Sequence, residues 1–178
     1  MLSSKEIDQV ASKLSKLEPG FLPFAIFHQI ARLVTMAIVE IVPLRKSPEG
    51  KIEILLLKRE ADDPIFPRQL HSPGKVVLAS DTAGSFNSTL QRVLSEELTG
   101  VRTSKPVFVK SMLHHSGRGM EVSQIFWVEV YGDSTVGEFY NVNNLPATIM
   151  QSQLDFIPAA IAHFAKGTND WIIPYHLL

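Results

Sequence analysis

Two adjacent glutamates, Glu96 and Glu97, stand near the end of a predicted helix in the segment RVLSEELTG, residues 92–100. At about 100° per residue, Leu90, Leu94, Leu98 and Val101 fall on a stripe that would face the core. The two glutamates lie at the edge of this stripe, on the same face as Val93. Neighbouring carboxylates repel each other and need a cation or hydrogen-bond donors to remain charged. Magnesium binds one or two carboxylates and takes its other ligands from water and substrate phosphates. On residue types alone, an ordinary solvated helix face is the default interpretation of the pair, and a Mg²⁺ (or Mn²⁺) site for phosphate chemistry is the alternative.

Length, charge and composition narrow the classes of protein. The chain has 178 residues, a formal net charge of −1 and no cysteine. The length predicts one domain with a small appendage. The balanced charge argues against a general binder of large nucleic acids, and the lack of cysteine excludes disulfides and thiol catalysis. The first residues are too charged for a secretory signal, and the longest apolar run, near 33–44, is too short to span a bilayer. We expect a cytoplasmic protein without a membrane partner.

The helix with the acid pair must be held by a sheet. Apolar periodicity and turn residues predict helices at 3–17, 21–33, 86–98 and 152–167, and strands at 34–46, 51–60, 75–80, 106–115 and 123–131. The proline-rich stretch 61–74 is predicted to be an ordered loop. Strands with only a few helices between them favour a mixed sheet sandwiched between helices over a doubly wound parallel sheet. We divide the chain into an N-terminal helical extension, 1–33, and a main domain, 34–178.

Three stretches around the acid pair resemble a divergent Nudix box: LLLKRE at 55–60, LHSPGKV at 70–76 and RVLSEELTG. Pro73-Gly74-Lys75-Val76 resembles the family's Pro-Gly-Gly-Lys-Val entry. Arg92, Leu94, Glu96 and Glu97 match the helical part, Arg-Glu-U-x-Glu-Glu with U aliphatic. The resemblance covers roughly residues 34–166. It implies the Nudix α/β/α sandwich with a mixed β-sheet, preceded here by N-terminal helices.

The resemblance also implies an activity. Nudix hydrolases cleave the pyrophosphate of a nucleoside diphosphate linked to another moiety, with Mg²⁺ or Mn²⁺ clamping the phosphates. Carried onto this sequence, Glu96 and Glu97 would bind the metal, with the carbonyl group of Gly74 as a further ligand. Glu97 and Arg92 would be catalytic, with Arg92 orienting the acids through a charge-assisted bond. The partner would be a nucleoside diphosphate derivative.

The same resemblance suggests residues outside the acid pair. Arg59, at the end of its strand, would face phosphate, His71 would line the mouth of the site, and Arg118 could meet a phosphate from a Gly-flanked turn. The general base would come from a later loop, with Glu121 as first candidate and Glu138 as second. Each of the two glutamates also fits a plain surface acid.

The sequence departs from the box at chemically important positions. Lys75 replaces the second Gly of the entry, Val93 replaces the first Glu of the helix, and the acid after the loop is out of register, with Asp81 nearest. Loss of a positioned acid or base typically costs about 10²–10⁴ in rate. The alternative is therefore a catalytically impaired Nudix-fold module that binds a nucleotide or a protein partner. An unrelated α/β domain with a solvated acid pair is the third interpretation.

Apolar stretches near both ends suggest contacts that the sequence does not specify. FLPFAIF, at 21–27, would pack its phenylalanines on the main body and suggests a lid or a homodimer contact. The tail DWIIPYHLL, at 170–178, would bury against the core or against a second subunit.

Overall fold

The computed structural model describes residues 2–167. The helices are α1 (Ser4–Leu14), α2 (Phe24–Ala31), α3 (Asn87–Arg92) and α4 (Ile157–Lys166). A π-helical turn, Val93–Glu97, continues α3, and a 3₁₀ helix, Gln151–Asp155, precedes α4. The strands are β1 (Met36–Lys46), β2 (Ile52–Lys58), β3 (Leu70–His71), β4 (Gly74–Val76), β5 (Arg102–Thr103), β6 (Val107–Ser116), β7 (Gly119–Tyr131) and β8 (Glu138–Asn141).

The strands form one mixed sheet. Its main path runs β3-β2-β1-β7-β5, while β4 pairs with β1, β6 with β7 and β8 with β2. The central pair, β1 and β7, is parallel, with Glu40 opposite Ile125, and the other pairs are antiparallel. The predicted mixed sheet is confirmed.

Helices cover both faces of the sheet. Alternate residues of β1 point to opposite faces, so Val42 and Leu44 belong to the core under α4 while Val39 and Ile41 belong to the core under α3. Phe156, Ile157, Ala160 and Phe164 close the first core, and Leu90, Val93 and Leu98 close the second. The α/β/α sandwich predicted from the sequence is confirmed.

Three short strands were missed. Leu70–His71 lies within the stretch predicted to be a loop, and neither Arg102–Thr103 nor Glu138–Asn141 was expected. Each is two to four residues long and follows the hydrogen bonds of a longer neighbour: β2 for Leu70–His71 and Glu138–Asn141, and β7 for Arg102–Thr103. Such strands form because the backbone of a neighbouring strand has hydrogen-bonding groups free at its edge. The local apolar periodicity of the sequence does not reveal them.

The N-terminal helices lie on the outside of the described chain. None of the residues of α1 is buried, and its apolar Ile7 and Val10 are 53% and 47% exposed. Of the three phenylalanines expected to pack on the main body, Phe21 and Phe24 are exposed and Phe27 is half-buried. The ring of Phe21 lies 6.0 Å from the guanidinium carbon of Arg92, so the packing is looser than predicted. The buried residue of α2 is Ala31, at its end. No helix in residues 2–167 is long and apolar enough to cross a membrane, and the tail 170–178 lies outside the described residues.

Candidate functional site

A cleft of about 580 Å³ opens between the end of β2, the loop that follows it and the π-helical turn; we call it the acid-pair cleft. Four of the predicted site residues line it: Arg59, His71, Glu96 and Glu97. The strand end brings Arg59 there, β3 brings His71, and the π-helical turn brings the two glutamates. The remaining lining residues are Leu57, Lys58, Glu60, Asp62, Asp63, Pro64 and Val136.

The acid pair is bridged by a lysine. The Nζ atom of Lys75 lies 3.1 Å from Oε2 of Glu96 and 2.9 Å from Oε1 of Glu97. Lys75 stands opposite Val39 in the β1–β4 ladder, and opposed residues of an antiparallel pair share a face, so its side chain points toward α3. Burial opposes the charge, but hydrogen bonds and attraction from Glu97 and Glu96 outweigh it and raise the pKa of Lys75. The ammonium group therefore provides the cation that two neighbouring carboxylates require.

This arrangement does not fit a divalent metal at the acid pair. A metal ion held by both carboxylates would compete with the ammonium group that already contacts each of them. Within residues 2–167, no group of three or more His, Cys, Asp or Glu side chains is placed to hold a metal ion. Val93 could not complete such a set, because its side chain has no ligand atom and is fully buried in the core under α3.

Arg92 holds the loop before α3 rather than the acid pair. Its guanidinium donates to Asp81, with Nη2 at 2.7 Å from Oδ2 and Nε at 3.2 Å from Oδ1, and to the carbonyl oxygen of Val76 at 2.9 Å. Burial works against the charge of Asp81, but the hydrogen bonds from Arg92 and Thr89 lower its pKa to about 2. The predicted direct bond from Arg92 to the glutamates is therefore wrong: among the described residues, the acid that Arg92 pairs with is Asp81, eleven positions earlier.

Glu121 and Arg118, predicted as base and phosphate ligand, are paired with each other. Glu121 is 2% exposed and accepts from Nε and Nη2 of Arg118 at 2.9 and 2.8 Å, and from Oγ of Ser116 at 2.8 Å. Neither lines the acid-pair cleft. All three contacts reach Oε1 of Glu121, so this carboxylate is held by its own neighbours and is not presented to the cleft. Glu138, the second candidate, lies on β8 and lines a neighbouring depression.

His71 is placed in the cleft without a positive charge. Burial, followed by the nearby charge of Arg59, lowers the pKa of His71 to about 4. Its Nδ1 lies 2.9 Å from the carbonyl oxygen of Ser72. A carbonyl group only accepts, so Nδ1 carries the proton and Nε2 is left as an acceptor. At neutral pH, His71 could accept a hydrogen bond from a ligand but could not neutralise a phosphate.

Sequence reasoning missed Glu40. It lies on β1 opposite Gly74, where any Cβ atom on Gly74 would overlap its carboxyl group. Burial raises the pKa of Glu40 to about 8, and its Oε2 has no hydrogen-bond partner among the described residues. The signal was a single acid inside the apolar run MAIVEIV, since an acid is almost never fully buried without a reason.

A second depression of about 440 Å³ adjoins the acid-pair cleft and shares Lys58 and Val136 with it; we call it the Tyr140 depression. Its lining combines apolar side chains with Arg68, Glu138 and Tyr140. The remaining lining residues are Leu56, Leu70, Gly137 and Thr148. The two depressions form a continuous surface with a lysine where they meet.

Comparison with known proteins shows which solved structures resemble this fold. No protein-family model and no curated protein sequence matches the chain. Among solved structures, the NUDIX domain of Shewanella oneidensis NrtR, complexed with ADP ribose, covers 92% of this chain and 99% of its own at TM-score 0.59 and 16% identity. A MutT/Nudix family protein from Listeria innocua covers 74% and 94% at TM-score 0.57 and 18% identity. The Ap4A hydrolase of C. elegans covers 74% and 99% at TM-score 0.55 and 14% identity.

The chain has a Nudix fold. The Nudix-box resemblance read from the sequence is thereby supported, and the third interpretation, an unrelated α/β domain, is wrong. The segment that resembles the box begins at Gly74 on β4, passes through the loop latched by Asp81 and Arg92, and ends in the π-helical turn with the acid pair. At these identities the likeness concerns the fold and does not extend to the activity.

Proposed function

We propose that this Nudix-fold protein binds a nucleoside diphosphate derivative across the acid-pair cleft and the Tyr140 depression, without a metal ion. The observation that carries the proposal is the continuity of the two depressions, which share Lys58 where they meet. One offers charged groups and the other an aromatic ring among leucines, which suits a ligand with a diphosphate and a base. The NrtR domain, whose structure holds ADP ribose, covers most of this chain.

The charges around the cleft indicate where the diphosphate would lie. Lys75 is engaged, since it neutralises part of the acid pair. Arg59 is only weakly engaged: it lies 3.6 Å from Asp63, and its buried Nε has no hydrogen-bond partner among the described residues. Lys58 and Arg68 are exposed and form none of the ion pairs found within residues 2–167. A diphosphate would therefore be attracted to the junction of the two depressions and repelled by the remaining carboxylates of the cleft.

Calorimetric titration of ADP-ribose into the chain in the presence of EDTA tests the proposal. We expect binding in the wild type and at least about tenfold weaker binding in Lys58→Met, because one charge-assisted contact is worth roughly 1.4 kcal/mol or more. Lys46→Met is the matched control: Lys46 is also exposed at a strand end but pairs with Ile52, at the opposite end of β2 from Lys58. If a panel of nucleoside diphosphate derivatives does not bind, or if both variants bind like the wild type, the proposal is wrong.

Hydrolysis of the pyrophosphate with Mg²⁺ is the second candidate. It is favoured by one specific observation: the carboxylates of Glu96 and Glu97 stand on the wall of the acid-pair cleft. It would require that a metal ion replace the ammonium group of Lys75. Phosphatase-coupled turnover of the same panel with Mg²⁺ or Mn²⁺ decides between them. Turnover that Glu97→Gln abolishes would favour the hydrolase, whereas binding without turnover would favour the proposal above.

A further inference from the structure

We infer that the ammonium group of Lys75 is a permanent counter-ion of the acid pair, which takes the place of a divalent cation and keeps one from binding to Glu96 and Glu97. The inference concerns the unliganded chain. It holds whether or not a nucleotide binds, so its failure and that of the proposed nucleotide binding are separate results.

The geometry of the bridge carries the inference. One Nζ atom contacts both carboxylates, at 3.1 and 2.9 Å. These are distances of charge-assisted hydrogen bonds, and a lysine has three donors, enough for both carboxylates at once. A cation bound by both glutamates would have to occupy the region where this ammonium group lies, and two cations in one small site repel strongly.

Burial keeps the ammonium group in place. The Lys75 side chain is 18% exposed and that of Glu97 is 20% exposed, while Glu96 is 48% exposed. The lysine therefore reaches the acids from inside, out of the short strand β4, and not from a free surface position. For a metal ion to displace it, two ion pairs would have to break and the ammonium group would need new partners. The nearest other acid on that strand pair, Glu40, is on the opposite face of the sheet, since it neighbours Val39 on β1.

The surroundings of the acid pair provide few further ligands for a metal ion. In the part of the chain that the structure describes, no third His, Cys, Asp or Glu side chain joins the pair in a metal-binding group. Arg92, at the end of α3, pairs with Asp81. It therefore does not replace Lys75 as the cation at Glu96 and Glu97. Lys75 is thus the cation on which the charge balance of the pair depends.

Titration of the full chain with Mn²⁺ tests the inference and requires no enzymatic activity. Binding is measured as the loss of the electron paramagnetic resonance signal of free Mn²⁺. Four proteins are compared: wild type, Lys75→Met, Lys75→Gln and Lys75→Arg. The Met and Gln variants both remove the charge. Because Gln can still donate a hydrogen bond to a carboxylate, it provides a second neutral variant if Lys75→Met does not fold. The Arg variant keeps the charge. Circular dichroism confirms that each is folded before titration.

We expect at least a tenfold tighter Mn²⁺ site in Lys75→Met or Lys75→Gln than in the wild type and Lys75→Arg. A second substitution, Glu97→Gln, should abolish the gained site. The inference is overturned if the wild type binds Mn²⁺ as tightly as the neutral variants and Glu97→Gln removes that binding, because metal and lysine would then coexist. It is also overturned if folded neutral variants gain no site, because the ammonium group would then not be what excludes the metal.

Discussion

The buried carboxyl group of Glu40 should make the stability of the fold depend on pH, and Glu40→Gln should remove that dependence. Glu40 is 6% exposed, its Oε2 lacks a hydrogen-bond partner within residues 2–167, and Gly74 lies against it. Burial raises the pKa of Glu40 to about 8; Arg118 acts against this rise and Glu121 adds to it. The folded chain therefore holds a proton on Glu40 at neutral pH.

The sign follows from proton binding in the two states. Between the ordinary value of 4.5 and about 8, the folded chain carries a proton that the unfolded chain has released. The free energy of unfolding therefore falls as pH rises through this window, because folding is favoured where the folded state binds more protons. At about 1.4 kcal/mol per pH unit, the full difference corresponds to about 5 kcal/mol. Entry of water on ionisation lowers the penalty, so we expect a loss on the order of 2–5 kcal/mol between pH 5 and 9.

Urea unfolding at a series of pH values measures this loss. Glu40→Gln keeps the shape of the protonated acid and cannot ionise, so its advantage over the wild type should be small at pH 5 and grow by about 2–5 kcal/mol by pH 9. Glu18→Gln, a change at an exposed glutamate, serves as the control and should follow the wild type throughout. Parallel stability curves for Glu40→Gln and the wild type would refute the reasoning, because Glu40 would then ionise equally in both states.

Three further substitutions test the packing around the site. Val93→Glu puts a carboxyl group at a fully buried position and should destabilise the fold by about 3–5 kcal/mol; a melting temperature close to that of the wild type would show that position 93 can reach solvent. Asp81→Asn weakens the bonds from Arg92 and should cost about 1.5–3 kcal/mol in urea unfolding, and no loss would mean that the latch is not needed. Gly119→Ala, at φ 148° and against the carbonyl group of Ala31, should release α2 to limited proteolysis; unchanged cleavage would contradict that contact.

The helix and its acid pair could be predicted because the apolar spacing within 86–98 is regular. The orientation of Val93 could not. An ideal helix placed Val93 beside the acids and Leu94 in the buried stripe, whereas in the structure Val93 is fully buried and Leu94 only partly. The π-helical turn Val93–Glu97 widens the helix at this point, so positions beyond Arg92 no longer follow a period of 3.6 residues. No residue type in this segment predicts the change from an α-helix to a π-helical turn.

The bridge from Lys75 depended on long-range register. The sequence showed that Lys75 departs from the Nudix box, but the direction of its side chain is set by the pairing of β4 with β1, which places it opposite Val39. A shift of one residue would have turned it to the other face of the sheet. The contact between Glu40 and Gly74 arises from the same pairing. The pairs Val39–Lys75 and Glu40–Gly74 are cross-strand contacts between residues 34 or more positions apart. Local sequence spacing cannot predict them.

Two of the three departures from the box, those at positions 75 and 93, both act against a metal site at the acid pair. With valine in the core at position 93, the π-helical turn presents two carboxylates to the cleft, and one ammonium group contacts both. A single lysine already balances only one of these two negative charges, and a third carboxylate there would add another. Because position 93 faces the core, replacing Val93 alone cannot supply that charge to the cleft. If the metal site can be restored by one change, that change is at Lys75, where removal of the ammonium group leaves two carboxylates in need of a cation.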